Sequence, residues 1–358
     1  MKLTLLRIQN ALNDVQFDET KLGKIVHVAG TNGKGSTSKF IADMLIASGY
    51  KTALFTSPHI LKINERIVFN GKEIDDVSFN KVFNDNFHII EKNKLSYFES
   101  LTFCAFLYFS SLNPDFSVVE TGMGGRFDSS NVLNSKLPVI TTIAKDHSAF
   151  LGENIYKIAD EKLAIIKENP TVMLGINTKS LTNYIKDKLQ NKNIITTETI
   201  GQKVPEPFNK NLALAENTVK ELVGSLPKDF QPTLPQCRQE SIGKFILDGA
   251  HNPNGISELM KSLKSKNIGS VIISSTADRD IGKLVSMLSM QFKNIIVTEI
   301  PDNDRTIRLP VPLTNTIQEK DLEKAMNIAI ELAGNADILT CGSLYLCACI
   351  KKLLYNNK

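Results

Sequence analysis

Residues 30–37 read GTNGKGST, a lysine set among glycines, hydroxyls and an amide. The apolar run KIVHVAG precedes them and a helical pattern follows. In such a strand–loop–helix unit, backbone N–H groups and a helix N-terminus cradle phosphate oxygens. Lys34 would meet the outer phosphates, with Ser36 or Thr37 near a Mg²⁺ ion, and Thr31, Asn32, Gly33 and Gly35 complete the loop. The spacing departs from GxxxxGK[ST], because Val28 stands where the first glycine belongs and Gly35 separates Lys34 from Ser36. A plain glycine-rich turn would carry the same letters.

Other residues of chemical interest lie at the ends of apolar runs. Glu120 closes FSVVE, where a carboxylate would project from the C-terminal edge of a parallel sheet into a ligand crevice and offer a hard oxygen to Mg²⁺. GMGGR follows at 122–126, pliant backbone with one guanidinium, or equally a turn. In LSYFESLT, residues 95–102, Tyr97, Phe98 and Glu99 stand before an apolar helix, a pattern that core packing and a helix-terminal charge also explain. LDGAHNP, residues 247–253, sets Asp248, His251 and Asn252 at a strand end, where Asn252 and Pro253 double as helix-start signals.

The elements that position these residues recur regularly. Runs rich in Val and Ile at 24–30, 51–57, 116–121 and 138–145 read as buried parallel strands. Between the first two, Phe40/Met44 and Ile41/Leu45 repeat at i, i+4 up to Gly49, which makes a βαβ unit. A second series lies at 244–250, 270–277, 294–300 and 337–343. Residues 225–240 between the series carry three prolines and no sustained apolar period. The expected fold is α/β: a phosphate-loop domain with a parallel-rich sheet over 1–236, then a smaller Rossmann-like domain over 237–358.

Composition narrows the partners. The 358 residues are 42% hydrophobic and 22% charged with a formal net charge of +4, too little field to imply nucleic acid or an anionic membrane. The five cysteines show no CxxC pair or zinc spacing, as expected of buried thiols in a reducing compartment. No leader-like segment and no run of about 18 apolar residues occurs. A cytoplasmic monomer acting on small molecules is the expectation.

Taken together, GTNGKGS, TSPHILKINERI (56–67), LSYFESLTFCAF (95–106), ETGMGGRFDSSN (120–131), KDHSAFLG (145–152), DEKLAIIK (160–167), LDGAHNP and GSLYL (342–346) resemble, in order, the blocks of the folylpolyglutamate synthase and dihydrofolate synthase family within the Mur ligase superfamily. The resemblance implies a Mur-ligase-like fold and an ATP-dependent ligase that joins glutamate to dihydropteroate or to folate polyglutamates through an acyl phosphate. It implies two Mg²⁺ ions held by Ser57, Glu120 and His147. Lys162 would be carbamylated, since an unmodified ammonium beside Mg²⁺ is strongly repelled; from the residues alone, a surface lysine on a helix is as good a reading. The resemblance sets the pterin acid beside Tyr97, Phe98, Glu99, Arg126 and Phe127. It assigns Asn211, Arg238 and Asp248 to ATP and places His251 at the cleft between domains. At Arg238 the family usually has a Gly-Arg pair, whereas Cys237 precedes this arginine, and the second domain is short.

Two rivals deserve statement. A peptidoglycan-type Mur ligase would carry a further N-terminal domain, for which the position of Gly30 is expected to leave no room. A nucleotide-gated regulatory protein would explain residues 30–37 but neither Glu120, His147 nor Asp248.

Overall fold

The computed structural model describes residues 4–145, 152, 154–198 and 202–356. It divides into two compact units, the first reaching Thr233 and the second running from Leu234 and including Pro205–Pro207. Both are α/β, as the sequence pattern leads one to expect.

In the first unit the strands in chain order are β1 (Lys24–Ala29), β2 (Thr52–Phe55), β3 (Ile67–Phe69), β4 (Lys72–Glu73), β5 (Phe116–Glu120), β6 (Leu137–Ile140), β7 (Thr171–Leu174) and β8 (Asn193–Thr196). They form one sheet in the order β4-β3-β2-β5-β1-β6-β7-β8. All neighbours from β2 to β8 are parallel, and only β3 and β4 run antiparallel at one edge. β1 lies at the centre with every residue after Lys24 buried. Covered on both faces, it reads as an unbroken apolar run instead of an alternating one.

The helices of this unit are α1 (Leu6–Asp14), α2 (Lys34–Ala47), α3 (Asp76–Asp85), α4 (Phe87–Lys92), α5 (Tyr97–Leu112), α6 (Ile155–Leu163), α7 (Lys179–Lys188) and α8 (Phe208–Val223). Gly33, at φ +86°, turns the chain from the loop into α2, and a β-carbon there would stand 2.2 Å from Asn211 Oδ1 on α8. The turn and the contact both require glycine. α5 starts on a capping box: Ser96 N–H donates to Glu99 Oε2 at 2.8 Å and Glu99 N–H to Ser96 Oγ at 3.4 Å. Its Phe103, Phe106 and Phe109 are fully buried against β2 and α1 residues, and truncating one to alanine would cost about 3–5 kcal/mol.

The second unit holds β9 (Glu240–Ile242), β10 (Phe245–Leu247), β11 (Ile268–Ile273), β12 (Ile295–Val297), β13 (Ile317–Gln318) and β14 (Asp337–Cys341), in the sheet order β13-β12-β11-β14-β10-β9. All pairs are parallel except β10 with β9. Helices α9 (Pro253–Ser262), α10 (Ile281–Ser289), α11 (Leu322–Ala333) and α12 (Leu344–Asn356) accompany it, and the core gathers Val271, Ile273, Val297 and Leu339 with Ile256, Leu259 and Leu288. Cys104, Cys237, Cys341 and Cys347 are buried free thiols. Among the described residues no helix is long and apolar enough to cross a membrane.

Candidate active site

The phosphate loop is braced against the segment following β6. Thr31 N–H donates to Thr142 O at 2.7 Å, and Thr31 Oγ1 donates to Ala144 O at 2.9 Å while accepting from Ala144 N–H at 3.0 Å. Thr141 Oγ1 donates to Asn32 O at 2.8 Å. These bonds hold the loop backbone, and the N-terminal amides of α2 have no intrahelical acceptor. Among the described residues the hydrogen bond of Lys34 Nζ is a long one, to Thr31 O at 3.4 Å, which a phosphate oxygen could replace. Thr37 is fully buried in the first turn, and its hydroxyl has no hydrogen-bond partner among the described residues. An orphaned buried hydroxyl is costly, and a ligand or ion at this turn would satisfy it.

Glu120 is only 3% exposed, and its Oε2 accepts the Ser57 N–H at 3.0 Å. The same oxygen would lie 3.4 Å from a β-carbon at Gly35, so the carboxylate stands at the first turn of α2. Glu120, Ser57 and the phosphate loop are therefore brought together. Among the described residues no three His, Cys, Asp or Glu side chains cluster as a metal site. That donor set suits Mg²⁺, which is held by one or two carboxylates plus phosphate oxygens and water. His147 lies outside the described residues.

Lys162 is 4% exposed near the end of α6, and its Nζ donates to Gly30 O at 2.9 Å. The surface-lysine reading falls, and the ammonium rests directly on the phosphate loop. Glu99, besides capping α5, receives Arg7 Nε at 3.2 Å and Arg7 Nη2 at 2.9 Å. Phe98 stacks obliquely on Phe55 at 6.0 Å and lies under Gly122, where a β-carbon would come within 2.5 Å of its ring. Tyr97 and Phe127 are exposed. Arg126 Nε donates to Glu161 Oε1 at 2.9 Å and its Nη2 to Asp160 O at 3.3 Å.

Beneath the glycine loop runs a polar chain absent from the sequence reading. Asp128, fully buried, accepts from Met123 N–H at 3.0 Å and from Ser130 N–H and Oγ–H at 3.0 and 2.5 Å. Ser130 Oγ meets His27 Nε2 at 2.8 Å. Burial pushes the Asp128 carboxyl up, and burial, helped by the Lys167 charge, pushes the His27 imidazole down to about 3. Asp128 sits inside the quoted block GGRFDSSN and could have been singled out there. His27 gave no signal within an apolar strand.

In the second unit Arg238 is presented between Cys237 at φ +54° and Gln239 at φ +50°. The left-handed backbone at Cys237 explains physically why glycine would be at ease there. Cys237 N–H donates to Glu240 Oε2 at 2.8 Å, and the buried Lys351 ammonium donates to Glu240 Oε1 at 2.7 Å and to Gln236 Oε1 at 2.8 Å. Gln239 N–H and Ala250 N–H donate to the two Asp248 oxygens at 3.0 and 2.8 Å. Burial pushes the Asp248 carboxyl up and the Arg238 charge pulls it back. His251 Nδ1 lies 2.8 Å from Gly249 O, a carbonyl that can only accept, so Nδ1 carries the proton there. Arg279 Nη1 donates to His251 O at 3.0 Å. The buried hydroxyls of Ser274, Ser275 and Thr340, at or just beyond the ends of β11 and β14, have no hydrogen-bond partner among the described residues.

These features define a two-unit α/β protein with a phosphate loop, an adjacent buried carboxylate and a buried lysine. Residues 28–222 match the Mur ligase middle domain and residues 236–344 match the Mur ligase, glutamate ligase domain. The chain belongs to the Mur ligase family. It is 29% identical to the dihydrofolate synthase/folylpolyglutamate synthase of Bacillus subtilis, covering 99% of this chain and 95% of that protein. The bifunctional folylpolyglutamate synthase/dihydrofolate synthase of Yersinia pestis, complexed with AMPPNP and Mn ion, superposes with a TM-score of 0.85 at 25% identity over 99% of this chain and 94% of that one. Mycobacterium tuberculosis folylpolyglutamate synthase complexed with ADP has a TM-score of 0.88 at 22% identity, over 99% and 95% of the two chains, which speaks for the fold.

Proposed function

We propose that the chain is an ATP- and Mg²⁺-dependent ligase that adds L-glutamate to dihydropteroate, to folate polyglutamates, or to both. The observation that carries this reading is the convergence of Lys34, the unpartnered Thr37 hydroxyl, Glu120 and Lys162 on one phosphate loop. The acceptor carboxylate attacks the γ-phosphorus of ATP, releasing ADP and forming an acyl phosphate. The glutamate amine then attacks the acyl carbon, expels phosphate and loses a proton to leave the amide.

Lys34 and the loop amides hold and neutralise the phosphates, and this chemistry is mostly positioning and charge neutralisation. Ser57, Glu120 and His147 would hold the metal, which supplies Lewis-acid polarisation of the phosphoryl oxygens when bound. Lys162 would be carbamylated. Asn211, Arg238 and Asp248 belong to ATP in this reading, and His251 would be a catalytic residue of the ligation. Tyr97, Phe98, Glu99 and Phe127 would wall the pterin acid, with Arg126 at its margin. In this reading residues 1–236 carry ATP and the pterin acid and residues 237–358 the glutamate-ligase domain. The enzyme would be a cytoplasmic monomer.

The test is a product mass spectrum from dihydropteroate and from tetrahydrofolate in parallel, with phosphate release followed with and without each substrate. Addition of one glutamate mass, with phosphate release that needs acceptor and glutamate together, is expected. Phosphate release indifferent to both would sink the reading.

A further inference from the structure

We propose that Arg126 is a positioning residue that sets where the Lys162 ammonium meets the phosphate loop. The kinetic part of this rests on the ligase reading above; the structural part does not.

The backbone of the glycine loop lies directly on the end of α6. A β-carbon at Gly125 would stand 2.5 Å from Glu161 O and 3.1 Å from Lys162 Cα, so no larger residue allows this approach. Arg126 N–H donates to Glu161 O at 2.9 Å. Its guanidinium then wraps the same turn, through Glu161 Oε1 at 2.9 Å and Asp160 O at 3.3 Å. Asn131 Nδ2 adds a second tie, donating to Arg126 O at 3.1 Å and Ala164 O at 3.4 Å. Asp160 and Glu161 lie in the last turn of α6, a terminus where carbonyls run short of intrahelical donors and a cation is favoured. From this clamped turn Lys162 reaches inward to Gly30 O at 2.9 Å. The Arg126–Glu161 pair is about half exposed on the arginine side, so it adds little stability. Its consequence is geometric: the strand end bearing Glu120, the glycine loop and the helix bearing Lys162 are set in one register.

The experiment compares Arg126→Ala, Arg126→Lys and Glu161→Gln with the parent. In ligand-free protein held free of CO2, so that Lys162 carries no carbamate, acetic anhydride labelling of Lys162 is followed by peptide mass spectrometry, with melting curves and binding of ADP with Mg²⁺ measured alongside. Arg126→Ala is expected to label Lys162 about tenfold faster and to bind ADP more weakly at a near-parent melting temperature. Glu161→Gln should move the same way by less, and Arg126→Lys should restore part, because an ammonium cannot reproduce the two-pronged fork. In turnover, kcat should fall, and KM for ATP should rise by more than KM for the pterin acid. Unchanged labelling and ADP binding with a rise only in KM for the pterin acid would overturn the proposal and make Arg126 a wall of the acceptor pocket. If the parent ligates no pterin acid at all, the ligase reading fails while labelling and ADP binding still decide the role of Arg126.

Discussion

The backbone N–H of Ser57 donates to Glu120 Oε2 across 3.0 Å, joining the loop after β2 to the end of β5 at the first turn of α2. At this turn the carboxylate is a hard-oxygen donor of the kind Mg²⁺ takes. Glu120→Gln retains the shape and the Ser57 contact but removes the charge, so activity should fall by a factor of about 10² and the Mg²⁺ activation curve should shift to higher concentration. A magnesium titration of parent, Glu120→Gln and His147→Ala reads this out. Superimposable curves for both variants would remove these residues from the metal site.

Among the described residues the hydrogen bond of the Lys34 ammonium is a long one, to Thr31 O at 3.4 Å, so the fold gains little from its charge. Lys34→Ala is expected to abolish ligation, with a loss above about 10³-fold, at an unchanged melting temperature. Turnover and thermal melting are measured on the same preparation. Near-normal turnover would exclude Lys34 from phosphate binding.

For Lys162, buried against Gly30 O, the proposed carbamate supplies negative charge beside the metal. Lys162→Ala should lose most activity, and acetate or formate diffusing into the vacated space should restore part of it. Lys162→Arg should not be rescued, because a guanidinium keeps the charge positive. Full activity in the alanine variant without added carboxylate is the contrary result.

His27 carries a pH prediction. Burial holds its imidazole neutral, with a pKa of about 3 against an ordinary 6.5. The folded pKa is depressed, so this stability is fully present above pH 6.5 and is lost as pH falls from there towards 3. The loss proceeds at up to about 1.4 kcal/mol per pH unit, as the unfolded chain takes a proton the folded one refuses. Urea unfolding at pH 7, 6 and 5 should show a decline in the parent and a flatter one in His27→Gln. Parallel declines would assign the acid sensitivity to other groups.

Much of the fold was legible from local pattern. Buried parallel strands such as KIVHVA and FSVVE announce themselves because both faces are covered, and the phosphate loop because a strand, glycines, a lysine and a helix must follow in fixed order. The short strands β3, β4, β9 and β13, two or three residues each, carry too few side chains for any period and exist only because a neighbour offers its edge. Glu120 and Lys34 were visible as residue types at strand and helix ends.

What only the tertiary structure decided is how distant side chains share partners. The sequence by itself left Lys162 open between a carbamylated lysine beside the metal and a surface lysine on a helix. Packing of α6 against the glycine loop removes the surface reading, by bringing the ammonium to Gly30, 132 residues away. Arg126, a candidate substrate contact by its block, directs its guanidinium onto Asp160 and Glu161. His27, Ser130 and Asp128 form one buried chain although 103 residues separate the first two. Hydrogen bonds depend on distance and direction, which no spacing along the chain encodes, whereas hydrophobic period and turn chemistry are local and can be read in order.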